Sequence, residues 1–215
     1  MAYTVIDTGA SRSFPAAHAL TQGAAEDGEV VVVIGAEVKR GLTRIREREQ
    51  KTAVVLELGS ECLGVHTGEA SGEEGSNVLG FARFRLGDAA PSNLVELVRQ
   101  PRTIEAALVA ARQVFEDAGF KVSTCGDFAG RIIDRLVRPY YNAALRRLDE
   151  GLASAQDLDT TLKLGLGYPE GPIELLERTG LAHHHDATQA LYEAYGDPAY
   201  APARRARVAK QKQLK

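Results

Sequence analysis

A chain of 215 residues that is 44% hydrophobic and 26% charged, with a formal net charge of −3, has the composition of an ordinary globular protein with apolar residues enough for a sizeable core. Slight acidity, without aromatics interleaved among basic residues, argues against a nucleic-acid partner. No apolar run approaches the roughly 18 residues that cross a bilayer, so no membrane role is expected.

In chain order, Tyr3–Asp7, Glu29–Glu37, Thr52–Ser60 and Asn77–Arg85 are short apolar or β-branched runs between polar or glycine-rich segments, and each reads as a strand. The N-terminus, "MAYTVIDTGASRSF", shows no basic region followed by an apolar run, which makes the expected location cytoplasmic. Val38, Leu42 and Ile45 fall on one helical face between the second and third strands, a βαβ pattern that predicts a parallel sheet. Glu69–Ser76 has no apolar face and reads as a polar surface loop. Ile104, Leu108, Ala111 and Phe115 repeat at helical spacing and Gly119 supplies a stop, after which Lys121–Cys125 reads as one further short strand. Cys62 and Cys125 lie far apart without metal-ligand spacing and read as two reduced structural thiols.

From Asp127 onward the apolar period is helical almost throughout. A long helix carries Pro139 in its interior, where the missing N–H should kink it. Ser154 with Asp157 forms an N-terminal cap signature, and Gly165 and Gly167 stop that helix. Pro169 and Pro172 delay the next helix, which Gly180 closes, so "KLGLGYPEGPIELLERTG" reads as a rigid elbow between two helices.

Asp127, Gly130, Arg135, Leu136, Pro139, Tyr140, Asn142, Ala144, Glu150 and Gly151, followed by "LDTTLKLGLGYPEGPIELLERTGL", closely resemble the C-terminal helical domain of the 3-hydroxyacyl-CoA dehydrogenases. The resemblance runs back through "NLVELVRQPRT", "TAVVLELGSECL" and "VVVVIGAEVKRGL". It implies α/β plus all-α architecture: a reduced Rossmann-like parallel sheet, residues 1–126, then a helical dimerisation domain of the 6-phosphogluconate-dehydrogenase type, residues 127–215. It also implies NAD as cofactor, an acyl-CoA substrate, and a histidine base oriented by a glutamate and assisted by a serine and an asparagine.

At these positions the sequence departs from the family. In "VIDTGASRS", Asp7 stands at the first glycine of the dinucleotide signature, Gly9 matches the second and Arg12 replaces the third, so Gly9 alone is left for the cofactor. About 20 residues separate this turn from the next strand, too few for the family's second and third strands with their helices. Ala82 falls at the histidine, Glu61 at the serine and Asp134 at the asparagine, while Glu96 matches the glutamate but has no imidazole to orient and reads equally as a surface or helix-facing carboxylate. A carboxylate at Asp134 beside a developing oxyanion is electrostatically adverse. His66 is the nearest replacement histidine, and His183, His184 and His185 with Asp186 read as a polar helix start with no built metal site. The tail from Arg204 to Lys215 is an exposed basic helix or frayed end with attraction for CoA phosphates as its functional reading.

Two readings follow. One is a homologue without NAD or hydride transfer, a structural or acyl-CoA-binding homodimer joined through its helical half, with no cofactor expected. The other is an active NAD-dependent 3-hydroxyacyl-CoA (3-hydroxybutyryl-CoA) dehydrogenase with an unrecognised catalytic set.

Overall fold

The computed structural model describes residues 1–68 and 76–214. Apart from Ser76, the expected polar loop lies outside the described residues. Two compact units divide the chain: residues up to Arg85 with Pro91–Arg131, and Leu86–Ala90 with everything from Ile132 onward. No helix among the described residues is long and apolar enough to cross a membrane.

In the first unit, six strands form one sheet in sequential order: β1 (Tyr3–Asp7), β2 (Val30–Ile34), β3 (Ala53–Glu57), β4 (Val78–Arg83), β5 (Leu94–Arg99) and β6 (Lys121–Gly126). Neighbours are parallel except β4 and β5, which run antiparallel. Every residue of β2 and β3 is buried, which is why both read as unbroken apolar runs. On one face Val30, Val32, Ile34, Val55, Phe81 and Leu97 pack against Leu108, Ala111 and Phe115 of α4 (Glu105–Asp117). Val31, Val33, Val54, Leu56 and Val78 of the other face meet Val38 and Leu42 of α2 (Val38–Leu42) and Leu63, which precedes α3 (Gly64–Thr67).

Two expectations are corrected in this unit. The helix after β2 is shorter than its apolar spacing suggests: Gly41 lets it approach β2 so closely that a Cβ there would meet Val33 at 2.3 Å, and Thr43 closes the end by donating to the Arg40 carbonyl at 2.9 Å. Ile45 still packs on the core from the turn beyond. β5 is a full strand, unannounced by the sequence reading because Glu96 interrupts its apolar run.

The β1–β2 connection follows a different route from its successors. It carries Phe14 and Leu20 of α1 (Ala19–Gln22) over the α4 face, whereas α2 and Leu63 take the next two connections over the opposite face. Since β1 through β4 advance across the sheet in one direction, the first crossover has the opposite hand to the next two, and parallel crossovers are almost uniformly right-handed.

The second unit is built from α5 (Arg131–Asp149), α6 (Ala155–Leu166), α7 (Pro172–Thr179), α8 (Leu181–Tyr195) and α9 (Arg204–Gln213) around Tyr141, Leu145, Ile173, Leu176, Ala203 and Ala206. α5 continues through Pro139, and the Arg135 carbonyl that Pro139 cannot serve receives the Tyr200 hydroxyl at 3.3 Å. Ser154 caps α6 as expected, accepting from Asp157 N at 3.1 Å. Gly165 lies within α6 rather than ending it; the left-handed residue that ends the helix is Gly167, at φ 71°. The elbow is held by Asp159, a buried α6 carboxylate that accepts Ile173 N and Glu174 N, both at 2.9 Å, at the start of α7. Gly171 caps α7 without a side chain, because a Cβ there would lie 2.2 Å from Asp159 Cγ.

Candidate functional site

The turns that follow β1 and β2 are stitched together. Asp7 Oδ1 accepts Gly9 N at 2.8 Å, the Gly9 carbonyl accepts Ala36 N at 2.8 Å, and Thr8 Oγ1 donates to the Ile34 carbonyl and accepts Glu37 N. Gly9 and Gly35 both have positive φ, and a Cβ on Gly35 would meet the Gly9 carbonyl oxygen at 2.4 Å. Into this corner projects Glu57 from the end of β3, only 5% exposed. Its Oε2 accepts Gly35 N at 2.7 Å and Ser11 Oγ at 2.8 Å, and its Oε1 accepts Ser13 N at 2.6 Å. Arg12 is turned to the Arg85 carbonyl at 2.9 Å. No helix starts at the Gly9 turn: the next helix is the four-residue α1, capped by His18.

Ala82 and Glu96 face each other directly across the β4–β5 pair, and Glu96 is in register with Ser123 on its other side. Glu96 is 4% exposed, which corrects its reading as a surface carboxylate. Cys125 lies two residues along β6 from Ser123, on the same face. Burial first, then the charge of Glu96, pushes its thiol up to about 11, so it is protonated at neutral pH and is no nucleophile. Both cysteines are free thiols.

Glu61 Oε1 lies 3.4 Å from His66 Nε2 and 3.1 Å from Gly59 N. Burial raises the Glu61 carboxyl, but hydrogen bonds from His66 and from backbone amides, together with Arg131, outweigh it and hold the pKa below the ordinary value. Among the described residues, the buried His66 Nδ1 has no hydrogen-bond partner. Asp127 ties this segment to β6 by accepting Leu63 N at 2.6 Å, Gly64 N at 2.8 Å and Gln100 Nε2 at 3.0 Å.

In the helical unit, Asp134 Oδ1 receives Arg138 Nε at 2.7 Å, so the carboxylate at the asparagine position has a buried guanidinium as counter-ion. Arg138 Nη1 donates to His184 Nδ1 at 3.2 Å, which leaves the His184 Nε2–H to donate to Asn142 Oδ1 at 3.0 Å. Asn142 in turn donates to the Ala199 and Tyr200 carbonyls. Burial, then the Arg138 charge, pushes His184 down to about 3. The reading of His183–His185 as a merely polar helix start is therefore corrected for His184: α8 packs its fourth residue against α5, into the core, at 1% exposure. His183 remains outside, 3.6 Å from Asp88, and the described residues contain no group of three or more metal-binding side chains. Of the leucines of the helical unit, Leu145 and Leu176 are fully buried in its own core, whereas Leu136 and Leu164 are 70% and 83% exposed.

Three carboxylates escaped the sequence reading: Glu57, Asp127 as a cap, and Asp159. The available signal was a lone acid terminating the apolar run "AVVLE", and an acid on an otherwise amphipathic helix shortly before a Gly-Pro helix start.

A mostly parallel sheet unit followed by this helical unit is a Rossmann-like build. The solved (S)-3-hydroxybutyryl-CoA dehydrogenase of Ralstonia eutropha shares the fold with a TM-score of 0.72 at 24% identity, over 86% of this chain and 66% of that one. Residues 130–214 match the family model for the 3-hydroxyacyl-CoA dehydrogenase C-terminal domain. Human mitochondrial hydroxyacyl-coenzyme A dehydrogenase is 40% identical over 102 residues, 47% of this chain and 31% of that protein. The 3-hydroxybutyryl-CoA dehydrogenase of Bradyrhizobium diazoefficiens is 34% identical over 109 residues, 51% of this chain and 37% of that protein. The helical half of the chain thus carries the 3-hydroxyacyl-CoA dehydrogenase C-terminal domain. Its matched stretches span less than half the length of these curated relatives.

Proposed function

We propose that this protein is a 3-hydroxyacyl-CoA dehydrogenase homologue that neither binds NAD nor transfers hydride, and that serves fatty-acyl-CoA metabolism as a structural or acyl-CoA-binding partner in the cytoplasm. The observation that carries this reading is the occupation of the β1 and β2 turns by the chain's own carboxylates. A dinucleotide pyrophosphate is held by free backbone amides of a glycine turn that opens a helix. Here Gly9 N is bonded to Asp7, Ser13 N and Gly35 N are bonded to Glu57, and no helix opens at the turn. These residues do not fit a pyrophosphate, which would meet two carboxylates where it needs donors.

Other features agree. Ala82 has no atom that accepts a proton, although it sits directly opposite Glu96 as a base oriented by that carboxylate would. The opposite hand of the β1–β2 crossover supports a reduced first domain, since excision of two strands and their helices joins a segment on one face to strands connected over the other. Exposed Ile132, Leu136 and Leu164 support a homodimer through the helical unit. One observation favours the alternative of an active NAD-dependent 3-hydroxybutyryl-CoA dehydrogenase: His66 has a carboxylate neighbour in Glu61 and, among the described residues, a second nitrogen without a partner.

Separate calorimetric titrations with NAD, NADH and acetoacetyl-CoA test the reading. Heat with acetoacetyl-CoA and none with either nucleotide is expected. NADH oxidation with saturating acetoacetyl-CoA stays at background in the wild type and in Ala82→His, because restoring the base leaves the cofactor corner filled. Turnover in the wild type that His66→Gln abolishes would establish the alternative.

A further inference from the structure

The end of α5, the middle of α8 and the start of α9 enclose a cleft of about 440 Å³, lined by Arg146, Gln189, Tyr192, Pro202, Arg204 and Arg207. Asp149 and Glu150 also border it, but each is held by a different arginine: Asp149 Oδ1 by Arg205 Nε at 2.7 Å, and Glu150 Oε2 by Arg147 Nη1 at 2.6 Å. Arg146 donates to the Pro198 and Ala201 carbonyls at 2.9 and 2.7 Å, neutral acceptors that orient it and leave its charge uncompensated. Among the described residues Arg204 and Arg207 have no acidic partner, so the cleft holds a surplus of positive charge.

The start of α9 compounds that surplus. Its first turn has no acid, and Ala203 at the cap offers no side-chain acceptor. Arginines at a helix N-terminus oppose the helix dipole, and an anion seated among them reverses the sign of that interaction. Arg146 lies about 18 Å along α5 from Asp134 at the ordinary helical rise, so the cleft is distinct from the asparagine position.

We propose that this cleft binds the terminal phosphate monoester of a small organic phosphate, a group that NAD and NADH, with only an internal pyrophosphate, do not carry. Arg204 and Arg207 take the phosphate oxygens through their planar N–H forks, Arg146 adds charge behind them, and Tyr192 and Pro202 give the organic part an apolar surface. A volume of this order accommodates a ligand of nucleotide size.

Titration calorimetry of the full chain with adenosine 5′-monophosphate, with adenosine alone and with coenzyme A tests this, in the wild type and in Arg204→Ala/Arg207→Ala. Both substituted positions are exposed, so the variant is expected to melt with the wild type while its affinity for the nucleotide falls by about tenfold or more. Binding also weakens as salt is raised, and adenosine alone gives no heat. A larger loss for coenzyme A than for the mononucleotide identifies the coenzyme's phosphates as the source, and an equal loss identifies phosphate esters generally. The proposal is overturned if the mononucleotide gives no heat at millimolar concentration, if adenosine binds as well, or if the variant binds as the wild type does.

Discussion

The sheet unit and the helical unit each bury a carboxylate against the backbone amides of a turn, Glu57 in one and Asp159 in the other. Asp159 accepts the first free amides of α7, where a negative charge also complements the helix dipole, and so completes an element of the fold. Glu57 accepts amides from two strand-end turns, where a glycine signature followed by a helix would leave donors for a ligand. The same kind of bond completes a helix start in one unit and closes two strand-end turns in the other. Motif residues in the helical half, such as Pro139, Asn142 and Gly171, make structural contacts that a change of activity leaves under the same physical constraint. In the sheet half the strands form the apolar frame, and the turns at their ends are closed by Asp7 and Glu57.

Substitution of the two carboxylates gives the largest effects. Glu57→Ala strands two buried amides and a hydroxyl and is expected to cost about 4 kcal/mol in urea unfolding, whereas Asp159→Ala strands two amides and costs about 3 kcal/mol. The comparison also predicts a qualitative difference. Added formate should recover part of the stability of Glu57→Ala, because a corner of converging donors accepts an exchanged anion. A Glu57→Ala protein as stable as wild type would break the argument that this carboxylate fills a required place.

How far the sequence could be read follows the same division. Parallel strands covered on both faces advertise themselves as valine runs, and the helical period with its caps at Ser154, Gly167 and Pro172 is local chemistry; both were legible. What stayed hidden depends on distant partners. Glu57 meets Ser11, Ser13 and Gly35 from segments brought together only by the sheet, and Glu96 looked like a surface residue because its burial comes from strands on both sides. His184 sat in a polar-looking cluster, and only the approach of α5 with Arg138 and Asn142 makes it a core residue. Ala82 could be placed by counting from the serine-loop match at Glu61, yet the cross-strand register that pairs it with Glu96 required the fold.

That buried histidine predicts a pH dependence of intermediate size. Its native pKa of about 3 lies below the ordinary 6.5, so in acid the unfolded state takes up the proton first. Stability is therefore full above about pH 7 and falls as pH drops through 6.5, by about 1.4 kcal/mol per unit until the native value is reached. Between pH 7 and pH 5 the loss from His184 alone is about 2 kcal/mol. His184→Gln should flatten that stretch of the stability profile, and an unchanged slope would mean that other groups carry it. His18, lowered by burial and then by Arg83, adds in the same direction from the sheet unit, so unfolding followed in each unit apportions the two.

The smallest effect concerns Pro139, and it tests whether the helical unit accommodates its signature proline by a specific bond. Proline removes the N–H that the Arg135 carbonyl would accept, and the Tyr200 hydroxyl stands 3.3 Å from that oxygen. Tyr200→Phe should cost about 0.5–1 kcal/mol, since the carbonyl is partly buried and loses its donor. In a Pro139→Ala background the restored backbone N–H serves the same oxygen, and the cost of losing the hydroxyl should shrink. A double-mutant cycle at positions 139 and 200 reads this directly, because every packing effect of the tyrosine common to both backgrounds cancels. Coupling of about half a kcal/mol in the expected sign ties the hydroxyl to the proline; additivity would mean that Tyr200 is held for its packing, and that water serves the Arg135 carbonyl.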